Sequence, residues 1–83
     1  MKTYVHYYGG DVLVRAARID NAAPNTLILD DNTVFLIPDE MKATIKGLVE
    51  GHFLVETVFD VDQEPTQWIM PSKEFEETFR LVK

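Results

Sequence analysis

Cysteine is absent from the 83 residues, so neither a disulfide nor a zinc-thiolate site can hold the chain together, and nothing calls for an oxidising compartment. Serine occurs once, as Ser72, which the residues around it claim as a helix cap rather than as a nucleophile held beside a base. The two histidines, His6 and His52, stand in no H-x-x-x-H or H-E-x-x-H arrangement, and a metal site wants three or four ligands at a fixed spacing. They read as surface or half-buried side chains. The glycine pair Gly9-Gly10 opens onto a strand-like run rather than a helix, which removes the usual phosphate cradle. No apolar run approaches the length of a membrane span, and Met1 to His6 lacks the apolar core of a signal peptide. The expectation is a cytoplasmic protein that does not bind membranes. Basic residues are also scarce, eight against fourteen acids, for a net charge of -6 and a pI near 4.7. Direct binding to a phosphate backbone runs against that charge.

What is present is the composition of a folded domain, 46% hydrophobic and 11% aromatic. At this length the chain has room for one domain, residues 1–83, and one modest core. The charge is uneven. Residues 30 to 64 carry nine acids against Lys42 and Lys46, while residues 1 to 29 are slightly basic and residues 65 to 83 balance.

Tyr4 to Tyr8 and Val12 to Ala17 flank Gly9-Gly10 and read as a hairpin. Asp20 to Asn25 collects turn formers. Beyond it, Thr26 to Leu29 and Thr33 to Ile37 flank Asp30-Asp31-Asn32 in the clearest hairpin of the chain. Pro38-Asp39 stops that strand, and Glu40 to Ile45 is open between a short helical turn and an irregular strand. His52 to Phe59 has Phe53 and Val55 on one face and Leu54 and Val58 on the other, which makes it a central strand. Asp60 to Pro65 is an acidic loop, Gln67 to Met70 a strand ended by Pro71, and Ser72 caps a short helix that turns Phe75 and Phe79 inward together. Leu81 and Val82 add an edge strand. The fold class is mainly β: an antiparallel sheet of about five or six strands, curled or partly open like a barrel, with one short C-terminal helix.

The order of these elements resembles the PGDYG-type small proteins of phages and bacteria. Glu50-Gly51-His52-Phe53-Leu54 stands where that family has its namesake motif, with Phe53 in place of a tyrosine and His52 in place of an aspartate. Pro71, Phe75, Glu76, Thr78 and Phe79 follow the order of its closing segment, and Val12 to Ala16 is similar to its opening strand. The resemblance covers about two thirds of the chain and implies a mobile-element origin and a small β fold, with no established activity. Read physically, Gly51 permits a positive φ, Phe53 and Phe75 are core, and Thr78 bonds nearby backbone.

Asp60, Asp62 and Glu64 alternate like the opening of a calcium loop, but Pro65 replaces the required glycine and no glutamate occupies the twelfth position. With Asp30-Asp31 and Asp39-Glu40 they form instead a candidate carboxylate surface for a basic partner. Trp68 is expected in the core. Tyr7 and Tyr8 point to opposite faces of a strand, so at least one meets solvent or a partner, and Tyr7 joins the candidate contact residues. These features predict a non-enzymatic domain without a cofactor that binds a host or defence protein by an acidic surface, as an anti-defence inhibitor would. The alternatives are a homo-oligomer joined through edge strands and a binder of a nucleotide-like ligand.

Overall fold

The computed structural model describes residues 1–8, 13–45, 47–57 and 66–82. Among the described residues seven strands and two short helices follow in the order β1 (Lys2–His6), β2 (Leu13–Ala22), β3 (Thr26–Leu29), β4 (Val34–Leu36), α1 (Asp39–Lys42), β5 (Phe53–Thr57), β6 (Gln67–Met70), α2 (Ser72–Thr78) and β7 (Phe79–Leu81). The sheet is mainly antiparallel-built and unclosed. Its path runs β4-β3-β2-β1-β7, while β5 pairs with β2 and carries β6 on its other side. Glu40 to Ile45 resolves in favour of a helical turn, because α1 takes Asp39 to Lys42.

The central organiser is β2, ten residues long, which pairs with β1, β3 and β5. It continues through Asp20 and Asn21, which the sequence assigns to a turn. A register shift between Ile19 and Asn21 absorbs the irregularity and bends the strand, so the chain reverses only at Ala23 to Asn25. Val14 and Ala16 project to one face of β2, Ala17 and Ile19 to the other; on β5 the same division separates Phe53 and Val55 from Leu54. A strand with apolar residues on both faces needs cover on both, and it gets two separate cores. One is aromatic: Val14, Ala16, Phe53, Val55, Phe75 and Phe79, under α2. The other is aliphatic and is closed by β3, α1 and the segment around Val49.

The aromatic core is ordered by ring geometry. Phe53 and Phe75 stack with centroids 4.1 Å apart, and Tyr4 meets Phe75 edge-on at 4.8 Å. Two local expectations need correction here. Phe75 and Phe79 do pack together, at 5.3 Å, but not from one helix face, since α2 ends at Thr78 and Phe79 opens β7 with extended φ and ψ. Ser72 is not the cap either. Pro71 holds that position, Ser72 is the first helical residue, and its hydroxyl accepts from the Arg18 guanidinium at 3.4 Å. Thr78 donates its hydroxyl to the Glu74 carbonyl at 2.7 Å, the backbone bond expected of it.

The β3–β4 turn explains itself. Leu29 and Thr33 close a three-residue loop, with Asn32 at φ 67°, a left-handed position that asparagine tolerates better than most side chains. Gly51 lies at φ 86° just before β5 and donates its N–H to the Ile19 carbonyl at 2.8 Å. Only glycine takes that conformation freely.

Candidate functional site

Asp30 and Asp31 lie on the β3–β4 turn, and the fold gives them different neighbours. The Asp31 carboxylate accepts from the Met1 ammonium at 2.7 Å and from the Thr33 N–H at 3.0 Å. These bonds, the ammonium first, hold its carboxyl far below the ordinary aspartate range. Its charge is answered inside the chain. Asp30 is exposed and uses its main-chain N–H to bond the Arg18 carbonyl at 2.9 Å, which fixes it beside the end of β2.

Arg18 is the hub of this region. Its guanidinium sits 5.2 Å from the centre of the Phe53 ring, a cation–π distance, and 3.5 Å from the Glu76 carboxylate of α2. The Tyr4 phenol is pushed above its ordinary value by burial first, with the charges of Asp30 and Glu76 adding to the shift and that of Arg18 opposing it. Tyr4 therefore feels a turn of the β3–β4 hairpin and a helix forty-six residues further on at once. A cavity of about 280 Å³ opens here, lined by Met1, Lys2, Tyr4, Arg18, Asp30 and Phe53 among others.

The helix supplies acids that sequence reasoning missed. Phe75 is buried beneath α2, while Glu74, Glu76 and Glu77 are exposed on it. A charge count over residues 65 to 83 cancels these three against Lys73, Arg80 and Lys83, yet Arg80 stands on β7, paired with Val5 of β1. The readable signal was the pattern itself, acids on either side of an inward phenylalanine. Chemically, Glu74 and Glu77 are exposed carboxylates beside Glu76, which Arg18 holds, and such groups can pair with lysine or arginine side chains of a partner.

The remaining expected contact residues lie elsewhere. Tyr7 follows the far end of β1 from Met1, about 20 Å away at the rise of an extended strand, so it shares no surface with Asp30 and Asp31. It is 52% exposed and Tyr8 91%, in keeping with the expectation that at least one meets solvent. Asp60, Asp62 and Glu64 lie outside the described residues, as does the calcium-like spacing they form. His6 and His52 are both half-buried; His6 accepts the Tyr8 N–H at 3.1 Å and packs edge-on against Phe79. Among the described residues no three His, Asp or Glu side chains converge to hold a metal ion, and no helix is long and apolar enough to cross a membrane. Trp68 is half-buried against the aromatic core, with the rest of its surface at the β6 edge.

No family model matches the chain, and neither the curated proteins nor the solved structures compared with it include a match. The resemblance to the PGDYG-type proteins thus stands on the sequence motifs alone.

Proposed function

We propose that this chain is a small non-enzymatic binding domain that docks its acidic surface on a basic region of another protein. One observation carries the reading: Arg18 is tied through its carbonyl to the N–H of Asp30 on the β3–β4 turn at 2.9 Å and through its guanidinium to Glu76 of α2 at 3.5 Å, which links two acidic segments distant in sequence at one residue. A net charge of -6 steers such a surface toward cationic partners and speeds encounter. The concrete form is an inhibitor, of host or anti-defence type, that fills a basic channel by charge complementarity. The sequence resemblance to phage proteins points the same way.

The test is capture of partners by the tagged protein from bacterial lysate cleared of nucleic acid, at low and at high salt. Exposed ion pairs weaken as the screening length shortens, so the expected result is a stoichiometric partner held at low salt and released at high salt. A partner retained equally at both would sink the acidic-surface reading.

A further inference from the structure

The free edge of β6 runs beside a groove that the acidic surface does not use. Among the described strands β6 pairs only with β5. Thr57 donates its N–H to the Thr66 carbonyl at 3.0 Å, which makes Thr57–Thr66 a hydrogen-bonded pair, and the antiparallel alternation then makes Val55–Trp68 another. Gln67 and Ile69 accordingly turn their main-chain N–H and C=O groups away from β5, toward the open side. A strand edge of this kind is a template for one more strand.

Two adjacent cavities flank that edge, of about 300 and 380 Å³, and both are lined by Thr44 and Trp68. Pro38, Glu40, Met41 and Gln67 complete the first; Ile45, Val49, His52, Ile69 and Pro71 complete the second. Each has the size of a site for one or two side chains. Among the described residues the lining is largely apolar, and Glu40 is its one carboxylate.

We infer that this groove binds an extended peptide segment of a partner protein, which adds as a strand to the β6 edge. The segment places an apolar side chain against Trp68 and a lysine or arginine against Glu40. Main-chain bonds to Gln67 and Ile69 supply register, and the pockets select alternate side chains, as in other strand-addition modes. Glu40 asks for a cationic side chain on the occupant. Among the described strands a second copy offers two other edges, Val34-Phe35-Leu36 of β4, which carries no cation, and β7, which carries Arg80, so self-association through β7 is the competing occupant that the test separates. This inference does not depend on the acidic surface at Asp30 and α2.

The test titrates the isotope-labelled full chain with a capped six-residue peptide of alternating lysine and valine, and with its glutamate and valine counterpart. Trp68 is the only tryptophan, so its emission reports the groove directly. The lysine peptide is expected to shift and protect the amides of Gln67 and Ile69 and to change Trp68 emission, with binding at least tenfold tighter than that of the glutamate peptide. Glu40→Lys should reverse that preference. Gln67→Pro, which removes an outward N–H from an edge strand, should abolish binding in a protein that still melts cooperatively; should it fail to fold, the Glu40→Lys arm decides. Shifts confined to Asp30 and α2 would overturn the groove while supporting the acidic surface. Equal response to both peptides, no response at millimolar peptide, or protection of the β6 edge by self-association would overturn it as well.

Discussion

The two faces of the sheet are covered in different ways. On one, a single seven-residue helix lays Phe75 onto stacked and edge-on rings, and the resulting core is aromatic and regular. On the other, aliphatic side chains from β2, β3 and β5 are closed by a four-residue helix and an irregular segment around Val49. Three of the four cavities described border this second core through Leu27, Ile37, Met41, Val49 and Ile69, and the fourth, beside Tyr4 and Phe53, touches it only at Ala17. Rings offer large area with few rotamers to fix, so one short helix suffices to seal them. Short irregular cover over aliphatic chains leaves grooves. The aromatic face is sealed beneath α2, and the aliphatic face is the one bordered by most of the grooves.

Truncation tests that contrast most strongly. Phe75→Ala removes a fully buried ring shared by Tyr4, Phe53 and Phe79, and should cost about 4 kcal/mol, a large part of the stability of a domain this small. Met41→Ala, beside a groove that lets its surroundings relax, should cost about 2 kcal/mol. Chemical denaturation measures both, and equal losses would erase the distinction between the faces. Gly51→Ala should cost about 1 kcal/mol through the left-handed backbone alone, since open space surrounds the position. The smallest effect belongs to Asp31. Its carboxyl is depressed by the Met1 ammonium, so its contribution is full above the ordinary aspartate range and is lost as pH falls through the depressed value. Asp31→Asn should lower the melting temperature slightly at neutral pH, and the gap to the parent should close only in strong acid.

Much of this architecture is written locally. Asp30-Asp31-Asn32 between two apolar runs specifies a hairpin because the turn needs a residue that accepts a positive φ, and Asn32 provides it. Phe53, Leu54 and Val55 mark a strand buried on both faces by chemistry alone. Other features depend on partners distant in sequence. Asp20 and Asn21 look like a turn, yet pairing with β3 holds Asn21 in the strand. Ser72 looks like a cap until Arg18 arrives from β2. The link between the β3–β4 turn and α2 was hidden for the same reason, because Asp30 and Glu76 are joined only through Arg18, whose carbonyl accepts from the one and whose guanidinium pairs with the other. Tyr7 stands apart from Asp30 and Asp31 because β1 separates its ends by its own length.

The most direct test of the account places the same charge change at two locations. Asp30→Lys with Glu77→Lys reverses charge on the proposed contact surface, and Asp39→Lys with Glu50→Lys reverses it equally near the aliphatic face, all at exposed positions. Affinity for the captured basic partner, measured by calorimetry at fixed salt, should fall at least tenfold more for the first pair than for the second. Equal losses would mean that net charge alone governs binding and would contradict a surface organised around Tyr4 and Arg18.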